Sequence, residues 1–383
     1  MKHSNIFNRS LMAGAILATS LSGALSEELN FSVGLGPSST VTVAANHYAK
    51  TVEELTNGDI TVKVFPLELV SLPEMGPGIR DGLTDIGFMA APYYPAEFAH
   101  TNFLAEQSMM MTLLEPTGKE GLAYAGAITE FIFNNCPECL AEYKTQNHVY
   151  MGHISTTPYV MLCKPEIRTI ADLKGKRLRA GSAAYKRFAE HFGAVGVQMA
   201  ASEAYEALSQ GVLDCAMLSA GDLTNYRLQE VVDSVTLRVP GNVYGGTVAG
   251  NINRDTWQSL SNDERASLLK AGARLAAEIT LSYKEQGDKD LAETKEAGKS
   301  VLEPSEELVA ELRKFVEADQ LVVAELFKTN YGVENASAMQ EEFRPILERW
   351  VKLVDGVETL DELADVYYNE NFAKLDPSSY GMN

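Results

Sequence analysis

One helical pattern in this chain is far longer than the others. From Ser261, the segment SNDERASLLKAGARLAAEITLSYKEQGDKDLAETKEAG keeps apolar residues at helical spacing, and the apolar stripe thins after Tyr283. A helix of ~20 residues already spans a small domain. We therefore predict that this helix reaches across more than one compact unit, which requires a chain of at least two packed parts.

Strand and helix signals alternate along the rest of the chain, which is typical of α/β proteins with a mainly parallel sheet. Ser38 or Ser39 is the expected N-cap of the first helix. The predicted strands are 29–35, 60–65, 85–91, 148–154, 158–163, a short one near Val197, 213–218 and 247–253. The other predicted helices are 73–83, 183–193, 201–210, 305–329, 337–354 and 359–373.

Residues 1–26 have the features of a secretory signal peptide. Basic residues precede an apolar run at 11–21 that is too short to span a bilayer, and Ala24-Leu25-Ser26 offers small residues for cleavage near Glu27. A core helix is the alternative interpretation of the apolar run. We expect a soluble protein that is exported to an extracytoplasmic compartment.

The chain is strongly acidic, with a formal net charge of −20 at pH 7. Loss of the signal peptide removes Lys2 and Arg9 and no acids, and changes the charge from −20 to −22. Such a protein lacks the basic surface that neutralises phosphates, so no nucleic-acid partner is expected. The remaining 357 of the 383 residues are enough for two domains with their own cores.

Four cysteines are present in the predicted mature chain. In an exported protein, Cys136-Pro-Glu-Cys139 is expected to be oxidised, and its place at the end of a helical pattern favours a structural disulfide over a thioredoxin-like redox motif. Further zinc ligands at close spacing are missing. Cys163 and Cys215 lie in apolar runs and are interpreted as small buried residues.

The sequence has few signals of catalysis. It contains no H-E-x-x-H or G-x-S-x-G motif, and Gly34-Leu35-Gly36 lacks the third glycine of a dinucleotide fingerprint. No nucleophile is identifiable together with its base. We expect no catalytic residue, no cofactor and no metal site.

Positive charge gathers at one turn of this acidic chain. The stretch ADLKGKRLRAGSAAYKRF, residues 171–188, has six basic residues and a single Asp. A solvated face is the simplest interpretation of such a cluster, and a clamp for an anion is the alternative.

The same turn begins a block that resembles the central signature of the TRAP-type (tripartite ATP-independent periplasmic) solute-binding proteins. That signature has a Leu-Lys-Gly turn followed by Arg, a helix that ends near Gly-Ala, and a Ser-Glu-x-Tyr-x-Ala-Leu segment followed by Gly and Asp. The matching residues are Leu173-Lys174-Gly175, Arg179, Gly193-Ala194, Ser202-Glu203, Tyr205, Ala207-Leu208, Gly211 and Asp214. Looser likeness extends from about Leu29 to the long helix.

The resemblance implies a two-lobed α/β periplasmic binding protein fold (type II-like), with crossing strands near 154–160 and 243–250 and a long helix shared by both lobes. It places 27–155 with about 244–283 in the first lobe and 156–243 with about 284–340 in the second. Residues 341–383 would form C-terminal helices that pack on the lobes. The expected partners are a small organic acid and the TRAP membrane permease, and the receptor is expected to act as a monomer.

In this family, the Arg of the signature turn holds the carboxylate of the ligand in the cleft, and Arg179 matches it. A planar guanidinium can pair with a carboxylate through two hydrogen bonds, which supports that assignment. The other basic residues of the turn are interpreted as surface charges: Lys174, Lys176, Arg177, Lys186 and Arg187.

Several positions depart from members that bind sialic acid. Tyr159 stands where those members place a second arginine, Ala90 replaces an acidic residue, and Met217 lies where polar residues follow the signature Asp. We expect Ser182, Thr156 or Thr157 to form a hydrogen bond with a ligand oxygen. The residues expected to line the cleft with aromatic and apolar surface are Tyr93, Tyr94, Tyr159, Met217 and Tyr244. Such a cleft favours an aromatic or apolar monocarboxylate over a C4-dicarboxylate or a sugar acid. The alternative is that these residues only pack the cleft wall.

Two other functions compete with transport. A sensory protein that binds the same acid would have the same cleft, although no fused transmembrane segment follows the signal peptide. A periplasmic enzyme on the same scaffold is disfavoured because the sequence lacks catalytic motifs.

Overall fold

The computed structural model describes Met1 and residues 26–382, so the predicted signal peptide lies almost wholly outside the described residues. The strands are β1 Glu27–Val33, β2 Ile60–Pro66, β3 Ile86–Ala90, β4 His148–Val149, β5 His153–Ile154, β6 Val160–Cys163, β7 Arg177–Ala180, β8 Val195–Gln198, β9 Cys215–Leu218, β10 Ser234–Thr236, β11 Thr247–Asn253 and β12 Ser300–Leu302.

The α-helices carry most of the remaining chain. They are α1 Thr40–Leu55, α2 Met75–Arg80, α3 Ala99–Glu106, α4 Glu120–Asn135, α5 Pro137–Thr145, α6 Ile170–Leu173, α7 Ala183–His191, α8 Ala204–Ser209, α9 Asp222–Asn225, α10 Arg254–Ser259, α11 Asn262–Glu296, α12 Glu306–Tyr331, α13 Ala336–Leu353 and α14 Leu360–Glu370. Short 3-10 turns fall between them. Of the two predicted N-cap residues of α1, Ser39 is the one that caps the helix. Its hydroxyl accepts a hydrogen bond from the Thr42 amide.

Two sheets form the centres of two lobes. The first has the order β2-β1-β3-β11-β4, with β5 also paired to β11, and the second has the order β12-β10-β6-β9-β7-β8. The predicted parallel pairing holds for β1 with β2 and β3 and for β7 with β8 and β9. Antiparallel pairs occur where the chain changes lobes, because β6 and β11 enter their sheets from the crossing segments.

The two crossing segments run side by side between the sheets. The amide of Thr156 donates to the carbonyl of Tyr244 at 3.3 Å, and the amide of Tyr244 donates to the Thr156 hydroxyl at 3.1 Å. Further along, the amide of Tyr159 donates to the carbonyl of Asn242 at 2.9 Å. These bonds tie the two strands that join the lobes into one connection beside the cleft.

Helix α11 is the long helix predicted from the sequence. Ser261 and Glu264 close its N-terminus as a capping box, in which each side chain accepts from the other residue's amide. The helix packs against α1 and α14 of the first lobe and against α9 and β12 of the second. It therefore belongs to both lobes.

Helix α12 is also shared, which differs from the expected assignment of 284–340 to the second lobe. Leu308, Leu312 and Phe315 in its first half pack into the core of the second lobe. Val323 and Phe327 in its second half pack into the core of the first lobe. The reason is its length of 26 residues, which carries its apolar stripe past the edge of one lobe.

Both cysteine pairs are disulfides in the structure. Cys136 and Cys139 are linked at the start of α5. Cys163 and Cys215, interpreted from the sequence as small buried residues, are also bonded to each other. They lie directly opposite each other on the antiparallel strands β6 and β9, an adjacency that the apolar runs around them did not indicate. No helix of the described residues is long and apolar enough to cross a membrane.

Candidate functional site

A cavity of ≈ 30 Å³ lies between the lobes, beside the crossing segments. It is formed where β3, β7 and β9 end, and ligands of α/β proteins bind outside the carboxyl ends of such strands. Its charged residues are Arg179 and Asp222, and its aromatic residues are Phe88, Tyr93, Tyr159, Tyr226, Tyr244 and Tyr283. In this arrangement of the lobes the cavity has room for only one or two water molecules.

Arg179 is the cationic centre of the cavity. It lies on β7, where it pairs with Val197 of β8 and Ala216 of β9, and it is only 1% exposed to solvent. Its Nε donates to the carbonyl of Met199 at 3.1 Å and its Nη1 to the carbonyl of Met217 at 3.3 Å. None of the carboxylates that the structure describes forms an ion pair with it. The guanidinium is thus held in place by neutral oxygens while its charge stays uncompensated.

Gly181 gives the guanidinium its space. A Cβ atom added at this position would lie 2.7 Å from Nη1 and 3.0 Å from Nη2 of Arg179. A side chain here would therefore push the guanidinium out of its position, so the glycine after β7 is part of the site.

Tyr93 brings the first lobe into contact with the cation. Its hydroxyl accepts a hydrogen bond from Nη2 of Arg179 at 3.4 Å and another from the amide of Ala201 at 2.8 Å. Both donors belong to the second lobe, and Tyr93 follows β3 of the first. The contact therefore spans the cleft.

Stacked tyrosines form one wall of the cavity. The ring of Tyr159 lies 5.6 Å from that of Tyr244 with an interplanar angle of 5°, and 4.9 Å from that of Tyr185. Tyr159 and Tyr244 come from the two crossing segments, so the bonds between these segments set the spacing of the rings. Such a wall is suited to the flat face of an apolar or aromatic group.

Asp222 is a charged cavity residue that the sequence interpretation missed. It is 2% exposed and begins α9, just after β9. Burial raises its pKa to about 6, although hydrogen bonds from Ser219 and Asn225 and the charge of Arg179 act in the opposite direction. An acidic residue just beyond the end of a predicted strand was the signal that could have identified it.

Comparison with known proteins identifies the family. Residues 31–330 match the model of the bacterial extracellular solute-binding protein family 7. The chain belongs to this family. It is 23% identical to the C4-dicarboxylate-binding periplasmic protein DctP of Rhodobacter capsulatus over 88% of this chain and 98% of that protein.

Solved structures of TRAP solute-binding proteins have the same two-lobed fold as this family 7 protein. One, from an unidentified microbe of a marine metagenome, is specific for aromatic acid ligands and was solved with 3-hydroxybenzoate. It has a TM-score of 0.73 at 18% identity and covers 85% of this chain and 99% of its own. Another, from Bordetella bronchiseptica with bound mandelate, has a TM-score of 0.71 at 22% identity and covers 84% and 99%.

The predicted site residues of this solute-binding protein fall into two groups. Arg179, Tyr93, Tyr159, Tyr244 and Thr156 lie together at the cavity. The four predicted residues that lie outside its lining are Met217, Ser182, Thr157 and Tyr94.

Each of these four has a local reason for its position. Side chains alternate along a strand, so Leu218 lines the cavity while Met217 packs in the core of the second lobe and offers only its carbonyl to Arg179. Ser182 is the N-cap residue of α7 and is 8% exposed. Thr157 faces a separate small depression beside Lys284. Tyr94, also expected in the cleft, instead donates its hydroxyl to the carbonyl of Pro73 at 2.7 Å.

Two of the five basic residues of the turn that were interpreted as surface charges form hydrogen-bonded ion pairs with carboxylates. Arg187 is paired with Asp319 at 2.6 Å and with Glu106 at 2.8 Å, and both carboxylates have side chains only 4% exposed. Arg177 forms a two-bond pair with Asp214. The interpretation of Arg187 as a surface charge was wrong because its partners lie far away in the sequence.

A larger cavity of ≈ 340 Å³ lies beside α5 and the C-terminal segment, away from the cleft. Its lining includes Lys144, His148 and Arg254. We assign the ligand site to the smaller cavity because the strand ends, the crossing segments and the buried charges meet there.

Proposed function

We propose that this protein is the periplasmic receptor of a TRAP transporter, and that Arg179 binds the carboxylate of a small organic acid between the lobes. The observation that carries the proposal is a buried guanidinium whose partners are two carbonyls and a tyrosine hydroxyl. A buried charge without a counter-charge is costly, and a carboxylate ligand supplies that counter-charge with directional hydrogen bonds.

The ligand is proposed to be a monocarboxylate with an aromatic or apolar body. Arg179 is the only Lys, Arg or His among the described residues of the cavity lining, so a second carboxylate would have no cation to meet. The tyrosine wall favours a flat apolar group. The ligands of the marine and Bordetella proteins support this class, whereas the Rhodobacter relative makes a C4-dicarboxylate the competing candidate.

Delivery of the acid to the permease follows from the family. We propose that residues 1–26 direct export and are cleaved, and that the monomeric receptor acts in the periplasm. An aromatic acid is larger than the ≈ 30 Å³ cavity, so the lobes must separate to admit it and close around it.

Calorimetry on matched arginine variants tests the carboxylate role. Arg179→Met keeps the apolar stem and removes the charge, and Arg177→Met removes an arginine from the same strand outside the cavity. We expect Arg179→Met to weaken binding of benzoate-like acids by about 2–5 kcal/mol, since a buried charged partner is lost. The Arg177 variant should bind like the wild type.

The result that contradicts the proposal is unchanged affinity in a folded Arg179→Met variant. The ligand class is tested separately with a thermal-shift screen, because a ligand that binds the native state raises its melting temperature. Aromatic and apolar monocarboxylates should give the largest shifts. Tightest binding by succinate, malate or a hexuronate would refute the assigned class while leaving the role of Arg179 intact.

A further inference from the structure

Asp222 has one oxygen that the protein satisfies and one that it leaves almost free. Its Oδ2 accepts from the amide of Ser219 at 3.0 Å and from the Ser219 hydroxyl at 2.8 Å. Its Oδ1 accepts one long bond, from Nδ2 of Asn225 at 3.4 Å, and the hydroxyl of Tyr283 in the same cavity also interacts with this carboxylate. In the described part of the chain, no basic side chain forms an ion pair with it.

The side chain of Asn225 forms shorter hydrogen bonds with Thr40 than with Asp222. Its side-chain oxygen accepts from the amide of Thr40 at 3.0 Å and from the Thr40 hydroxyl at 3.3 Å. These bonds join the start of α1 in the first lobe to α9 in the second. Asn225 is thus fixed as a bridge between the lobes.

A local structural role does not account for a carboxylate here. The two bonds from Ser219 close the turn before α9, and an asparagine oxygen would accept them equally well. An ionisable group buried at this position instead destabilises the folded protein. The cavity around it contributes tyrosine rings and Arg179, and Asp222 lines the same space.

We propose that Asp222 accepts a hydrogen bond from a donor group of the ligand, a hydroxyl or an ammonium, while Arg179 holds the carboxylate of the same molecule. This inference rests on the proposed function. It narrows the ligand from any apolar monocarboxylate to one that also bears a hydrogen-bond donor.

The fold places the two groups within reach of one small ligand. Arg179 lies on β7, and Asp222 follows β9, its parallel neighbour in the second sheet. Neighbouring strands are about 4.8 Å apart. A carboxylate and a hydroxyl or ammonium on one compact molecule can therefore face the two residues at the same time.

Calorimetry at pH 7.5 with pairs of acids that differ only in the donor tests this proposal. The pairs are 3-hydroxybenzoate with benzoate, mandelate with phenylacetate, and L-phenylalanine with 3-phenylpropionate. The proteins are the wild type, Asp222→Asn and the control Asp290→Asn. Asp290 lies on α11 and is also buried, and its carboxylate accepts hydrogen bonds from Thr224 of α9 and from Gln286, outside the cavity.

In the wild type, the donor-bearing acid of at least one pair should bind about 10- to 100-fold more tightly than its partner, since hydrogen bonds to a charged group are strong. Asp222→Asn should reduce that preference to about 3-fold or less, and Asp290→Asn should leave it unchanged. Preference for the hydroxy acids identifies a hydroxyl donor, and preference for phenylalanine identifies an ammonium.

Two results overturn the inference. One is an equal affinity for donor-bearing and donor-free acids in the wild type, and the other is a preference that persists in Asp222→Asn. If none of the acids binds, or if Arg179→Met binds them as tightly as the wild type, the proposed function is refuted instead.

Discussion

The charge of Asp222 should cost this protein stability at neutral pH, and replacing it with asparagine should recover that stability. Burial raises the pKa of Asp222 from its ordinary value of 3.8 to about 6 in the folded protein. The folded state therefore binds this proton more tightly than the unfolded state. The stabilisation that this bound proton gives the folded state is complete below pH 3.8 and is lost as the pH rises through 6.

The size of this effect follows from the two pKa values. A change from 3.8 to about 6 corresponds to about 3 kcal/mol at pH 7.5. Asparagine does not ionise, and its oxygen can accept both bonds from Ser219. We expect ligand-free Asp222→Asn to be about 1–3 kcal/mol more stable than the wild type at pH 7.5 and nearly equal to it at pH 3.5.

Urea denaturation of both proteins at pH 3.5, 5.5 and 7.5 measures this difference. Asp214→Asn is the comparison of opposite sign, because the hydrogen bond from Arg177 lowers the pKa of Asp214 and its stabilising effect is lost as the pH falls. The reasoning is refuted if the gap between Asp222→Asn and the wild type does not widen with pH, or if the wild type is the more stable protein at pH 7.5.

Three further predictions follow from the contacts. Tyr159→Leu removes a stacked ring, so the preference for aromatic over aliphatic acids in calorimetry should fall by roughly 3- to 10-fold, and an unchanged ratio would contradict the ring's role. Arg187→Met leaves two buried carboxylates unpaired and should lower the free energy of unfolding by about 3–5 kcal/mol in urea titrations, where a loss below 1 kcal/mol would count against the buried pairing. The double change Cys163→Ser with Cys215→Ser opens a loop of sequence separation 52 and should lower the free energy of unfolding by about 2–4 kcal/mol. This loss should exceed the loss caused by removing the Cys136–Cys139 disulfide, whose sequence separation is 3. Peptide mapping that finds free thiols in protein from an oxidising compartment would contradict both disulfides.

Features that depend on local sequence were predictable. The start of α11 next to Ser261, its long apolar stripe and the span of β11 follow from the local sequence pattern. The signature turn identified Arg179, and the structure places it in the cavity. The crossing segments near 154–160 and 243–250 were expected from the resemblance to the TRAP-type solute-binding proteins.

Features that depend on which distant segments meet were not predictable. Arg187 is 132 residues from its partner Asp319, and no local pattern joins them. Met217 and Leu218 are adjacent apolar residues, and only the register of β9 decides which one faces the cavity. Asp222 lies beyond the signature block, in a stretch where a polar residue is also typical of an ordinary turn.

The arrangement of Arg179 and Asp222 bears on how the proposed receptor would release its ligand. Opposite charges that share a cavity would bind each other if they touched, and the site would then have to break that pair to admit a ligand. Here Arg179 is held by carbonyls and Tyr93, and Asp222 by Ser219, so each keeps its place without the other. Their hydrogen-bonding partners stay fixed on the second lobe, except for Tyr93 of the first. Separation of the lobes removes that tyrosine from Arg179 and breaks the bonds from Thr40 to Asn225, next to Asp222. In the proposed function, opening of the lobes would expose both charged groups to water at once and would weaken their hold on the acid as it is transferred to the permease.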